Sequence, residues 1–296
     1  MSNPDAKPRA GDGLALGALF AGATCIALSP IWVRVSEVGP TASAFWRVAL
    51  AVPLLWLLCA WRGEATRALE KRQWKLLLAA GFAFAGDLAF WHWSIKFTSV
   101  ANSTLLANLA SIFVTLTVWL VWRRRPTAVF LAGLATALAG VALLVRTSLE
   151  FSPTALLGDA LGVITAMFYA WYLLSVKDVR DLGIATVRLM AVTTTLTTAF
   201  LLPVALASGE GLLPATQIGW LKLLGLAWIS HSAGQGLIAY ALAHLPAAFS
   251  SVSLLFQPVM AAMFAWVLLA EPLVPLQMIG GVVVLAGIYL ARRGSS

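Results

Sequence analysis

Several polar side chains lie in the middle of long apolar stretches, where their types and spacing could bind a ligand. Residues 228–236, WISHSAGQG, place His231 and Gln235 four residues apart, on one helical face with Trp228 one turn away. An imidazole, an amide and an indole ring suit a ligand with apolar and polar ends. The alternative is that the pair joins helices by interhelical hydrogen bonds. We predict cavity lining, because ionisable groups inside a membrane commonly face water or a substrate.

Asp87 is the only carboxylate well inside an apolar stretch, and Phe84, Phe90 and Trp91 share its face at helical spacing. This carboxylate could bind a substrate ammonium group or carry a proton. It could equally pair with Arg47 or a helix end and only fasten the helices together. His92, five residues on, is expected on a different face near the membrane surface, where an interfacial position is favoured over a role in gating or pH sensing.

Three further stripes of residues recur at helical spacing, one aromatic and two polar: Phe168, Trp171 and Tyr172; Asn108, Ser111 and Thr115; Ser250, Ser253 and Gln257. An aromatic seam beside a cavity would hold an indole or phenyl ring by stacking, although such seams usually only pack. Small polar residues also permit close helix packing, but two polar stripes at similar depth favour a shared central cavity. Pro258 removes a helical donor beside one stripe and predicts a bend there.

The predicted substrate-binding site therefore collects residues from several separate stretches of the chain: Asp87, Trp91, His92, Asn108, Trp171, Tyr172, His231, Gln235, Ser253 and Gln257. We expect no catalytic residue, no cofactor and no metal. Cys25 and Cys59 both fall in apolar stretches, with neither a disulfide framework nor metal-ligand spacing, and are expected to pack as small apolar groups.

The composition indicates the solvent that surrounds these residues. Of 296 residues, 60% are hydrophobic and 11% are charged, whereas roughly a quarter are charged in an average soluble domain. The mean hydropathy is +0.88. So few charges could not cover a soluble core, and we predict an all-α integral membrane protein in contact with lipid. The net charge of +8 does not indicate nucleic-acid binding, because the basic residues cluster at the ends of apolar stretches.

Apolar stretches long enough to cross about 30 Å of hydrocarbon occur about ten times. They lie near 13–33, 41–61, 74–95, 100–122, 127–146, 155–176, 186–207, 218–241, 246–269 and 275–291. If the N-terminus is cytoplasmic, the inner loops hold most lysines and arginines, including the run 123–125. The outer side then holds only Arg34, Lys96, Arg146 and Lys222. This asymmetry predicts ten transmembrane helices with both termini in the cytoplasm.

The two halves of the chain resemble each other at a constant offset. Ser103 matches Ser250, Trp119 matches Trp266, and the triplet LAG at 138–140 returns at 285–287. We predict a duplication, with a first five-helix repeat at 13–146 and a second at 155–291. Cytoplasmic tails are expected at 1–12 and 292–296. Because each repeat has an odd number of spans, the second must be inverted relative to the first, an arrangement that builds a central cavity in transporters.

Two long segments carry a family resemblance. TSVANSTLLANLASIFVTLTVWLVWRRRPTAVFLAGLATALAG and LPAAFSSVSLLFQPVMAAMFAWVLLAEPLVPLQMIGGVVVLAG resemble the paired repeats of the EamA type, in the drug/metabolite transporter superfamily. The second segment carries the characteristic positions Pro258, Glu271, Pro272, Gly280, Ala286 and Gly287. The first departs from them, with Ser111 in place of the proline and Arg124 in place of the glutamate. Within the superfamily, the chain resembles the bacterial exporters of aromatic amino acids, the YddG type.

This resemblance implies a secondary transporter that exports amino acids, aromatic ones in particular, or similar metabolites across the bacterial inner membrane by alternating access. The alternative within the superfamily is a transporter or facilitator of other metabolites or drugs. No Walker-type loop is found, so the substrate gradient or coupled protons would supply the energy. An intramembrane enzyme is disfavoured, because Ser230 and Ser232 point about 100° away from His231.

Overall fold

The computed structural model describes residues 10–65, 68–98, 100–146 and 155–295, and every regular element within these ranges is a helix. In chain order the helices are α1 (Ala10–Ala27), α2 (Ser29–Arg34), α3 (Pro40–Ala49), α4 (Ala51–Trp61), α5 (Lys71–Phe97), α6 (Val100–Ala107), α7 (Ala110–Leu120), α8 (Ala128–Val145), α9 (Ala155–Asp181), α10 (Thr186–Ala207), α11 (Gln217–Gly225), a π-helix (Leu226–Gln235), α12 (Gly236–Leu242), α13 (Ala247–Ser253), α14 (Phe256–Leu269) and α15 (Pro275–Gly294). The all-helical prediction is confirmed for these residues.

Nine helical stretches of the described residues are long and apolar enough to cross a membrane. They are Gly13–Arg34, Pro40–Trp61, Lys71–Phe97, Asn102–Leu120, Ala128–Val145, Ala155–Asp181, Thr186–Ala207, Ala247–Leu269 and Pro275–Gly294. Each corresponds to a predicted span within a few residues. The predicted span at 218–241 is not among the nine. That stretch is helical throughout, but the π-helix divides it into pieces of 9, 10 and 7 residues.

Four of the spans are broken near their middle, which brings polar backbone and side chains to membrane depth. The break between α13 and α14 lies next to Pro258, as the sequence predicted. There the carbonyl of Leu254 accepts from the backbone N–H of Gln257 at 2.9 Å, so a tighter turn replaces the lost helical bond. The break between α6 and α7 has no proline. Instead the Asn108 amide donates to the carbonyl of Thr104 at 2.7 Å.

Glycines let the last helix of each predicted repeat pack closely on the other. At the α8–α15 contact, a Cβ added to Gly140 would lie 2.8 Å from the carbonyl oxygen of Gly280. A Cβ on Gly280 would lie 2.9 Å from the carbonyl oxygen of Gly140. Such distances leave no room for a side chain, so the two backbones meet directly.

The long helices α5 and α9 pack against each other and form one wall of the bundle. The ring of Phe168 on α9 occupies the space that a side chain at Gly86 on α5 would fill. Near the end of α5, the Ser94 hydroxyl donates to the carbonyl of Gly158 at 2.7 Å. The π-helix and α12 pack on α1 on the opposite side. These contacts fix the relative positions of the helices that line the candidate site.

Candidate functional site

A cavity of about 780 Å³, part of which is open to the surroundings, lies between the helices of both halves. Its lining comes from α1, α2, α3, α5, α6, α9, the π-helix, α14 and the α6–α7 break. The lining residues are Ile26, Ala27, Ser29, Pro30, Arg47, Phe84, Asp87, Leu88, Trp91, Thr104, Ala107, Asn108, Thr165, Tyr169, Gln235, Gln257, Pro258 and Ala261.

Two opposite charges line this cavity. Arg47, in the last turn of α3, is buried, and Asp87 lies on α5. The two side chains attract each other electrostatically, yet no direct ion pair within 4.0 Å joins them. The guanidinium carbon of Arg47 lies 6.0 Å from the centre of the Phe84 ring, and its Nε atom has no hydrogen-bond partner. Both charges therefore remain able to bind an ionic ligand.

A neutral group of polar side chains lines the cavity from the second half of the chain. Tyr169 lies on α9, Gln235 ends the π-helix, and Gln257 begins α14. The Tyr169 hydroxyl lies beside both amides but has hydrogen-bond geometry to neither. Its oxygen, Oε1 of Gln235 and Nε2 of Gln257 are all buried without a hydrogen-bond partner in the protein. Buried polar atoms are normally paired, so this group of neighbouring atoms has hydrogen-bonding capacity that a polar ligand group could use.

An aromatic layer supports the cavity wall at Phe84. The ring of Tyr172 lies 4.6 Å from the ring of Phe84, and the imidazole of His231 stacks on Phe84 at 5.4 Å. Phe84 lines the cavity, whereas Tyr172 and His231 do not. These two rings therefore hold Phe84 in place from behind.

Five of the ten predicted site residues line the cavity together: Asp87, Trp91, Asn108, Gln235 and Gln257. They come from distant parts of the chain, as the prediction of a shared cavity requires. The Asn108 amide nitrogen donates to the carbonyl of Thr104, which leaves its amide oxygen and a second N–H for other partners.

His231 lies outside the lining, contrary to the prediction. Its Nε2 atom lies 2.9 Å from the hydroxyl of Thr194 on α10, and only 1% of the residue is exposed. The hydrogen bond to another helix corresponds to the alternative role considered from the sequence. Trp228 does not share its face, because that side chain is 47% exposed.

The π-helix explains why this stretch departs from the predicted face. Its buried residues form adjacent pairs that recur every four residues: Leu226 and Ala227, Ser230 and His231, and Gly234 and Gln235. In an α-helix each residue turns about 100°, so a four-residue repeat would drift by about 40° at every step. The i→i+5 bonds of a π-helix widen the coil and counter that drift. His231 and Gln235 therefore stay buried, while Trp228 turns outward.

The remaining predicted site residues also lie outside the lining. Trp171 is 45% exposed on the surface of α9, while Tyr172 points inward behind Phe84, so the aromatic stripe is divided between two faces. Ser253 is buried and donates to the carbonyl of Phe249 at 3.0 Å. His92 is 1% exposed, with Nδ1 2.6 Å from the carbonyl of Leu88, so its side chain packs against neighbouring helices.

Arg47 and Tyr169 are among the lining residues that the sequence did not predict. Arg47 was considered only as a basic partner for Asp87, and Tyr169 was not considered. A usable signal existed for Tyr169, because Thr165 and Tyr169 are four residues apart on one face of α9 and both line the cavity. For Arg47 the signal was its position well inside the apolar stretch 41–61, where a charge is costly.

Polar contacts join the two halves of the chain near the segment that connects α2 to α3. Arg34 pairs with Glu271, and Nζ of Lys96 lies 2.6 Å from a carboxylate oxygen of Glu210. Glu210 also accepts from the Thr41 hydroxyl at 2.9 Å and from the backbone N–H of Ala42 at 3.0 Å. We call this group of residues the α3 clasp.

The electrostatics of the α3 clasp follow from these hydrogen bonds. Burial raises the pKa of Glu210, but the bonds from Lys96, Ala42 and Thr41 outweigh it and hold the pKa below its ordinary value. The neighbouring Glu37 accepts from the hydroxyl of Thr216, which lowers its pKa as well. Both carboxylates are therefore held in the ionised form.

At the opposite end of these helices, the Arg188 side chain donates to the backbone carbonyl of Glu64. This bond also joins the two halves, since Glu64 follows α4 and Arg188 lies on α10. Within the described ranges, no group of three or more histidine, cysteine, aspartate or glutamate side chains could hold a metal ion.

An apolar helical bundle with a charged and polar cavity between its helices is typical of a membrane protein that binds a small molecule. The chain belongs to the EamA-like transporter family, whose model matches residues 11–146 and 156–293. It is therefore a multi-pass membrane transporter, and the predicted family resemblance is confirmed.

Two known proteins are similar to most of the chain. An uncharacterized transporter from Archaeoglobus fulgidus is 29% identical over 267 residues, which cover 88% of this chain and 90% of the relative. A solved crystal structure superposes with a TM-score of 0.81, over 97% of this chain and 99% of the other, at 15% identity. The second similarity concerns the fold alone.

Proposed function

We propose that the protein exports amino acids, aromatic ones in particular, across the bacterial inner membrane by alternating access. The observation that carries the proposal is the presence of Arg47 and Asp87 in one intramembrane cavity. Charges at membrane depth are costly and mark substrate or ion sites. An amino acid carries one carboxylate and one ammonium group, so it matches this pair of charges without leaving either uncompensated.

Each lining group has a defined role in this proposal. The guanidinium of Arg47 binds the substrate carboxylate, since its planar group of N–H donors matches two carboxylate oxygens. The carboxylate of Asp87 accepts from the ammonium group. Phe84 and Trp91 offer aromatic faces and edges to an aromatic side chain, which prefers offset or edge-to-face contact with them.

The proposed architecture is ten membrane crossings in two inverted five-helix repeats, at 13–146 and 155–291, with both termini cytoplasmic. The two separate family matches and the constant offset in the sequence support the duplication. Residues 217–242 supply the tenth crossing, because they are helical throughout despite the π-helix. Of the two proposed tails, positions 1–9 and 296 lie outside the described residues.

Alternating access requires contacts between the halves that break on one side of the membrane and hold on the other. In the proposed orientation, the α3 clasp lies on the outer side, and the bond from Arg188 to the Glu64 carbonyl lies on the inner side. We propose that these two groups are the opposing gates. Export then consists of binding from the cytoplasm, opening of the α3 clasp and release outside.

The direct test is counterflow into liposomes that contain the purified protein, with labelled tryptophan, phenylalanine, threonine and a nucleotide sugar. We expect exchange of the aromatic amino acids and none of the nucleotide sugar. Arg47→Met should abolish exchange, whereas Arg62→Met, which removes an exposed arginine at the end of α4, should leave it unchanged. Absence of uptake for every amino acid would refute the proposal.

The same assay at two imposed pH gradients identifies the energy source. If uptake by the wild-type protein responds to the gradient and uptake by Asp87→Asn does not, Asp87 carries a coupling proton. If the wild-type protein ignores the gradient, the substrate moves down its own gradient alone.

A further inference from the structure

The charged and the neutral lining residues of the cavity are distributed unequally between the two halves of the chain. All charges in its lining come from the first half of the chain, at Arg47 and Asp87. The lining residues of the second half carry none, and they are Thr165, Tyr169, Gln235, Gln257, Pro258 and Ala261. We call these second-half residues the neutral side of the lining, whereas the charged residues belong to helices of the first half.

The neutral side is rich in unused hydrogen-bonding capacity. The Tyr169 hydroxyl, Oε1 of Gln235 and Nε2 of Gln257 are buried and have no partner in the protein. A hydroxyl both donates and accepts, and an amide offers an oxygen and an NH₂ group. Leaving such atoms unpaired in a buried site is unfavourable, so the site favours a ligand that supplies the missing bonds.

We propose that this neutral side selects amino acids whose side chain ends in an uncharged hydrogen-bonding group, an inference that rests on the proposed function. Tyrosine and tryptophan satisfy this requirement through a phenol hydroxyl and an indole N–H. Phenylalanine fills the same space but leaves the three buried atoms unpaired.

A site built around unpaired polar atoms rejects an analogue that lacks the matching group more strongly than an apolar pocket rejects a missing methylene. We therefore expect tyrosine to compete for exchange at a concentration about tenfold lower than phenylalanine. Tryptophan should show a similar advantage over its benzothienyl analogue, in which sulfur replaces the N–H group.

The experiment measures inhibition of labelled tyrosine counterflow by each member of these two pairs, in liposomes containing the full-length protein. Replacing both amides, with Gln235→Leu and Gln257→Leu, should bring the tyrosine-to-phenylalanine ratio close to one. Tyr169→Phe removes a single oxygen with little risk to folding and should lower the same ratio about threefold or more. Gln217→Leu makes the same change at an exposed position at the start of α11 and should leave the ratio unchanged.

The outcomes separate this inference from the function on which it rests. If phenylalanine competes as well as tyrosine in the wild-type protein, amino acid transport stands and the inference is wrong. The inference is equally overturned if the double variant and Tyr169→Phe both keep the wild-type ratio. If neither amino acid is exchanged, the proposed function fails, and the inference fails with it.

Discussion

His231 and Gln235 lie four residues apart in the same π-helix, but the structure assigns them different tasks. The imidazole of His231 stacks on Phe84 at 5.4 Å and lies 2.9 Å from the hydroxyl of Thr194. The amide of Gln235 lines the cavity, and its Oε1 atom is unpaired. We therefore predict that His231→Ala mainly reduces stability and that Gln235→Ala mainly changes transport.

The magnitude follows from the contacts that each change removes. His231→Ala loses a ring stack, which contributes about 0.5–1.5 kcal/mol. It also leaves the buried hydroxyl of Thr194 without its partner, which costs about 1–3 kcal/mol. The free energy of unfolding should therefore fall by about 2–4 kcal/mol. Gln235→Ala breaks no bond from Oε1, so we expect a smaller loss than for His231→Ala.

The assay compares thermal unfolding of the detergent-purified variants with their counterflow rates in liposomes. His231→Ala should unfold several degrees below the wild-type protein, whereas Gln235→Ala should unfold near it and exchange substrate with a changed KM. His244→Ala serves as the control, because it removes an exposed histidine at the end of the same helical stretch. The reasoning is refuted if Gln235→Ala is the less stable variant, or if His231→Ala keeps full stability.

Three further predictions concern contacts between the halves. Gly140→Val should disrupt the α8–α15 contact and prevent recovery of folded protein on size-exclusion chromatography, because even a Cβ there would lie 2.8 Å from the carbonyl oxygen of Gly280. Glu210 has a lowered pKa, so its stabilising effect is present above its ordinary pKa and disappears as the pH falls through the folded-state value. The unfolding midpoint of the wild-type protein should therefore approach that of Glu210→Gln as the medium is acidified. Parallel curves of unfolding midpoint against pH would contradict this. The exposed pair Arg34–Glu271 should show a coupling energy of at most about 1 kcal/mol in a double-mutant cycle.

Much of the fold could be read from the sequence because hydropathy depends on composition along the chain. Nine predicted spans correspond to helices within a few residues, and Pro258 marked the break in Ala247–Leu269. The break at Asn108 was not foreseen, because side-chain-to-backbone hydrogen bonds, rather than a proline, accompany it. The division of the stretch 217–242 by a π-helix likewise had no signal in hydropathy.

Only part of the candidate site could be predicted from the sequence. A helical pattern identifies which residues share one face of a helix, but not which helix or ligand that face contacts. Asp87 and Gln257 were found because polar groups at membrane depth need a reason to be there. Trp171 was misplaced because its helix presents one aromatic face to Phe84 and another to the surface. His92 is buried, and its position near the end of α5 did not indicate that burial, which depends on the helices packed against it.

The sequence by itself determined that the chain is a membrane protein, that it is helical and that it resembles the EamA type. These properties depend on apolar content and on residues close together in the chain. Only the tertiary structure decided that Arg47 and Tyr169 face the same cavity as Asp87 and that His231 lies behind Phe84. The rotation of each helix is set by the helices packed against it, and no local pattern encodes that rotation.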